Sequence, residues 1–163
     1  AEPGEAKAEQ TVAAWIANLA IDPTSNDTKV MQAIEAGQCD VGIVNSYYFG
    51  RLEAKNPSIP IALFWPNQSA AENSGVHVNI SGAGILKHSN NSAQARRLLE
   101  WLASEQAQAL FAGLNKEYPV ISGGAINSQV STWGEFKQSP LALSQAYQLQ
   151  PAAVKLMDRV GYQ

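Results

Sequence analysis

The stretch Asn45-Ser46-Tyr47-Tyr48-Phe49-Gly50-Arg51 carries the residue types best suited to chemistry. It follows the apolar run Val41-Gly42-Ile43-Val44 and leads into a segment of helical character, so it stands at a strand-to-helix junction. In open α/β sheets, ligands bind in the crevice beyond the carboxyl ends of the strands. A helix start at that place offers unpaired N–H groups and a positive dipole end to anions and phenolates. A free tyrosine ionises near pH ~10 and is a poor ligand while neutral. A small, highly charged, oxygen-seeking cation such as Fe(III) can deprotonate it, because a bound cation inverts the local logic of ionisation. Tyrosinate is an axial ligand of ferric haem iron in some enzymes, so the pairing is chemically sound. Tyr47 and Tyr48 are therefore candidate metal ligands.

Adjacent residues point to opposite faces of a strand, or about 100° apart on a helix. Convergence of the two phenols thus calls for a bend in the chain between them. Arg51, on a nearby helix face, can hold a carboxylate or an anion. Asn45 can donate to the same anion. Each residue also has a plainer use: packed aromatics, a solvated charge, a satisfied strand end. A second cluster, Ser25-Asn26-Asp27-Thr28, opens another helix. Its amides and Asn26 suit either a small anion or an ordinary helix cap.

Other chemistry has little to stand on. His77 and His88 have no cysteine or carboxylate at metal-site spacing. Gly82-Ala83-Gly84 lacks the third glycine of a dinucleotide fingerprint, and no Walker-type phosphate loop occurs. There is no Gly-x-Ser-x-Gly elbow, and Cys39 has no nearby histidine. Without a nucleophile–base pair or a cofactor fingerprint, the expectation is a non-enzyme with no catalytic residue.

The elements that must position these residues follow from periodicity and punctuation. Val12, Trp15, Ile16 and Leu19 give an amphipathic helix from Ala8 to Ala20. A polar turn, Asp22 to Asp27, precedes a second helix bearing Val30, Met31 and Ile34 and stopped by Gly37. Val41 to Val44 reads as a strand covered on both faces, and Tyr47 to Lys55 as a helix. Strands are expected at Ile59–Trp65, Val76–Ile80 and Gly82–Leu86, with a polar loop ahead of Val76. Two helices, Ala93–Leu102 and Glu105–Leu114, divide at Ser104, a good N-cap. A last helix runs from Pro151 to Val160 and ends at Gly161. This alternation predicts an α/β fold with a mixed sheet flanked by helices.

Composition sets the outer bounds. The chain has 163 residues, a length suited to one domain of ordinary size. Hydrophobic residues make up 45%, too many for a disordered chain. The net charge of −3 argues against a nucleic-acid partner. No apolar run approaches the roughly 18 residues of a membrane span. Cys39 is alone, so no intramolecular disulfide is available. The start, Ala1-Glu2-Pro3-Gly4-Glu5, lacks a positively charged leader, as expected if a leader was removed or if the chain starts inside a longer one.

Several stretches, in order, resemble the periplasmic ferric-ion-binding proteins that serve ABC iron importers. They are Ser25-Asn26-Asp27-Thr28, Gln32 to Val41, Asn45 to Leu52, Phe64-Trp65-Pro66-Asn67-Gln68, Gly75 to Gly82, Glu117-Tyr118-Pro119-Val120 and Gly134-Glu135-Phe136-Lys137. The resemblance implies a type II periplasmic-binding-protein fold whose two lobes close on Fe(III). It also implies that Tyr47 and Tyr48 are the paired iron-binding tyrosines and that Asn26 and Asn45 lie near a synergistic anion found in some members. Complete members are about twice this long, and the likeness covers only their C-terminal half. Residues 1–76 and 129–163 would then belong to one lobe, and 77–128 to the other, whose N-terminal part is absent. The expected partners are a membrane permease and the missing N-terminal half. The expected location is the periplasm, or a lipid anchor in a Gram-positive source. Alone, the chain would bind iron weakly or not at all, and its exposed edges would invite self-association. Two other readings remain open at this point: a receptor lobe for an oxyanion or another metal, and a module that docks a permease or sensor with a vestigial ligand site.

Overall fold

Asn26 starts the helix that follows it: its Oδ1 accepts the Lys29 backbone N–H at 3.1 Å. Such a cap satisfies one of the donors that every helix start leaves open. Local signals of this kind account for most of the architecture in the computed structural model, which describes residues 4–69 and 74–162. Among these residues are seven helices: α1 (Glu5–Ala17), α2 (Asp27–Glu35), α3 (Ser46–Lys55), α4 (Ser92–Leu102), α5 (Glu105–Asn115), α6 (Ser128–Ser131) and α7 (Leu143–Val160). Ala1 to Pro3 of the chain start, and part of the polar loop ahead of Val76, lie outside the described residues.

The chain forms two compact units. The first comprises Ala1–Ile43, Trp65–His77 and Phe136–Gln163. Here α1 packs on α7, and Arg159 of α7 reaches Glu5 and Glu9 of α1 at 2.8 and 2.7 Å. These exposed ion pairs orient the two helices more than they stabilise them. Met31, Ala33 and Leu156 are buried in this unit. The second unit comprises Val44–Phe64 and Val78–Glu135, with Phe49, Ile59, Ala107, Ala112 and Val130 buried. In it α4 packs on α5, whose N-cap Ser104 accepts the Ala107 N–H at 3.3 Å.

Two helix boundaries differ from expectation. α1 stops at Ala17 because the Asn18 side chain donates to the Ala14 carbonyl at 2.9 Å, competing with continuation of the helix. α7 starts eight residues before Pro151, which sits in its interior. Proline leaves one carbonyl of the preceding turn without a donor, that of Tyr147. Tyr147 is 77% exposed, so this side of the helix is open to solvent where the hydrogen bond is missing, and the helix runs through.

The expected strands at Val41–Val44, Ile59–Trp65, Val76–Ile80 and Gly82–Leu86 do not join into a sheet among the described residues. One isolated parallel bridge links Val76 and Gln138. The segments are non-helical, and side-chain exposure alternates with period two along 41–45, 61–65 and 76–79. That is the alternation of extended backbone. A strand also needs neighbours for its N–H and C=O groups. Among the described residues Val76 has them, its N–H donating to the Lys137 carbonyl at 2.9 Å and its carbonyl accepting the Ser139 N–H at 2.8 Å, and the pairing extends no further into a ladder. Ile43, which a fully covered strand would bury, is 81% exposed.

Candidate functional site

The tyrosine pair lies in the first turn of α3, which begins at Ser46 with Asn45 as its N-cap residue. At 100° per residue, Tyr47, Arg51 and Tyr48 share one arc of the helix, while Phe49, Glu53 and Gly50 occupy the opposite arc. Sequence reasoning called for a bend between the tyrosines; none is present, since both are helical. The rings meet nevertheless, with centroids 4.4 Å apart and planes tilted by 32°. Their long side chains close the angular gap that the backbone leaves.

Arg51 joins them. Its guanidinium carbon stands 5.0 Å from the Tyr47 ring centroid and 5.7 Å from that of Tyr48. Within about 6 Å of a ring face a cation is attracted by the ring quadrupole. Arg51 Nη2 also donates to Asn115 Oδ1 at 3.1 Å, tying the cluster to the end of α5. Tyr47, Tyr48 and Arg51 are half-buried, and Asn45 is exposed. The arrangement gathers two phenols and one fixed positive charge, which suits an electron-poor ligand held by oxygen together with its counter-anion.

Asn26 belongs to the other unit and is exposed. Its Oδ1 serves as the α2 cap, which leaves its amide donors available. Two open clefts of about 430 and 650 Å3 lie in that unit, one beside α2 and one beside the α1 end, and none of the five candidate residues lines either. His77 and His88 are exposed. Among the described residues no group of three or more His, Cys, Asp or Glu side chains could hold a metal.

Sequence reasoning missed the residues behind α3. Gln129 Nε2 donates to Glu53 Oε2 at 2.6 Å and to the Gly50 carbonyl at 2.9 Å, and Trp133 Nε1 donates to Glu53 Oε2 at 3.4 Å. Their separation along the chain leaves no local spacing to read. Tyr118 was noted only as part of the resemblance; burial pushes its phenol up from the ordinary value.

Residues 2–109, more than half of the chain, match the sequence profile of the bacterial extracellular solute-binding proteins. The chain belongs to that family. Among curated relatives of this solute-binding protein, iron uptake protein A2 of Synechocystis sp. is 40% identical, covering 98% of this chain and 48% of the relative. A Trichodesmium protein solved in complex with iron and citrate ligands is 39% identical, with a TM-score of 0.87 over 98% of this chain and 52% of the other. The ferric binding protein of Campylobacter jejuni is 28% identical, with a TM-score of 0.91 over 99% of this chain and 52% of the other. The chain spans about half the length of the curated relatives it matches. The likeness to these solved structures gives the part the chain covers their fold, the type II periplasmic-binding fold.

Proposed function

We propose that this solute-binding chain takes Fe(III) through the tyrosinates of Tyr47 and Tyr48 as part of an ABC iron importer. The observation that carries the reading is the pair of rings 4.4 Å apart at the start of α3, with Arg51 beside them. Fe(III) favours anionic oxygen, and displacing two phenolic protons gives it two such donors. Asn45 donates to a synergistic anion against which Arg51 holds charge, and Asn26 is a candidate anion donor of the first unit. The names of the relatives support iron as the cargo, and the reading assigns the chain no reaction to catalyse.

Two phenolates do not fill the coordination sphere of Fe(III), so the chain by itself binds it weakly. In this reading, residues 1–76 and 129–163 belong to one lobe of the whole protein and 77–128 to the other. The remaining ligands come from the half of the relatives' length that this chain does not span. Exposed apolar side chains support such a partner: Ile43, Leu86 and Leu114 are 81%, 81% and 77% exposed. Without that partner, copies of the chain self-associate. Delivery is to a membrane permease from the periplasm, or from a lipid-anchored site in a Gram-positive cell.

Native mass spectrometry with a panel of Fe(III) citrate, Zn(II) and phosphate tests the reading. Uptake of Fe(III), lost in the Tyr47→Phe/Tyr48→Phe variant, is expected. Retention of Zn(II) or phosphate alone would overturn it in favour of a different solute.

A further inference from the structure

The two arcs of α3 differ in their surroundings. One carries Tyr47, Tyr48 and Arg51. The other is gripped by Gln129 of α6 and by Trp133 just beyond it. Gln129 bridges the Gly50 carbonyl and Glu53 Oε2 at 2.9 and 2.6 Å, and Trp133 adds its indole N–H to the same carboxylate oxygen at 3.4 Å. The Trp133 ring lies 5.9 Å from the Phe49 ring, centroid to centroid. It approaches Gly50 so closely that a Cβ there would stand 2.8 Å from a ring atom. Polar and steric contacts thus hold three successive positions of the same arc. A helix gripped so along one side cannot roll about its axis, and its other side is aimed as a consequence.

We infer that Glu53, Gln129 and Trp133 are positioning residues for the tyrosine pair, setting the rotation of α3 so that both phenols face one ligand. The inference deepens the proposed iron reading and rests on it for the identity of the ligand, but the orientation of the rings can be read without metal. Partners that orient metal ligands at one remove typically change affinity by roughly 10–100-fold when removed. The carboxylate of Glu53 accepts from both donors, and the amide oxygen of a glutamine in its place can accept as well.

The test compares Glu53→Ala with Glu53→Gln in two measurements. In metal-free protein, the near-ultraviolet circular dichroism of the ring pair is taken as the signal lost in Tyr47→Phe. Glu53→Ala is expected to lose that signal at unchanged helix content, and Glu53→Gln to keep it. In a titration with Fe(III) nitrilotriacetate followed by visible tyrosinate absorption, Glu53→Ala is expected to bind roughly 10–100-fold more weakly and Glu53→Gln close to the parent. Survival of the ring-pair signal in Glu53→Ala overturns the inference, whatever iron does. Absence of visible absorption in the full-length protein overturns the iron reading, while the metal-free measurement still decides the clamp. If Glu53→Ala loses helix content, Trp133→Phe replaces it: the ring stays, the N–H goes, and an unchanged ring-pair signal overturns the inference.

Discussion

Arg51 holds its guanidinium over the Tyr47 ring, 5.0 Å from the centroid, while its Nη2 donates to Asn115 at 3.1 Å. The residue therefore connects the phenols to the end of α5. A cation over an aromatic face contributes about 0.5–2 kcal/mol, and a hydrogen bond about 1 kcal/mol. Arg51→Gln is expected to lower stability by about 1–2 kcal/mol in urea unfolding. Arg51→Lys should recover only part of it, because an ammonium lacks the planar fork. Equal stability of Arg51→Gln and the parent would show that the contact does no holding.

Gly50 is needed for close approach. A Cβ at this position would stand 2.8 and 2.9 Å from Trp133 ring atoms and 3.0 Å from the Lys116 Cβ. Alanine gains about 1 kcal/mol of helix propensity, but overpacking costs about 1–3 kcal/mol. Gly50→Ala should therefore be destabilised by up to about 2 kcal/mol. In the Trp133→Leu background the penalty should shrink, which a double-mutant cycle by urea unfolding would show.

Asn26 has a structural duty that can be separated from an anion-binding one. Asn26→Ala should lose about 1 kcal/mol through the missing α2 cap, and Asn26→Asp should not. If Asn26 also donates to an anion, Asn26→Asp will weaken the stabilisation of the protein by citrate despite its intact cap. Thermal melts with and without citrate distinguish the two duties; equal citrate shifts in Asn26→Asp and the parent leave Asn26 a cap alone.

Tyr118 gives a pH dependence of definite sign. Burial raises the pKa of its phenol in the folded state. The unfolded chain releases that proton first, near pH ~10. The folded state then holds more protons, so stability is full below about pH 10 and falls as pH rises from there through the folded value. Melting temperatures of the parent should drop more steeply above about pH 10 than those of Tyr118→Phe. Parallel profiles would contradict the assignment.

What the sequence discloses about this fold is what is local. Asn26, Ser104 and Gly161 mark helix ends because a cap acts within one turn, and the structure places all three at those ends. The start of α7 escaped because Pro151 looks like a first-turn residue, although a solvent-exposed helix tolerates it inside. Val41–Val44 and its fellows were legible as extended segments, though Val41–Val44 read as covered on both faces where Ile43 is exposed, and pairing depends on neighbours that no local pattern supplies. At the candidate site the tyrosine pair and Arg51 were legible from residue type and helical spacing. The grip of Gln129 and Trp133 on Glu53 was not, since it joins positions 76 and 80 apart in the chain.

The central claim is that the oxygens of Tyr47 and Tyr48 bind Fe(III) directly. Resonance Raman spectroscopy of the chain in excess Fe(III), excited within its visible absorption, reads this from the vibrations of the ligand itself. Enhanced tyrosinate ring modes are predicted, reduced in Tyr47→Phe and in Tyr48→Phe and abolished in the double variant. A spectrum without tyrosinate modes, or one that the double variant reproduces, would contradict the account.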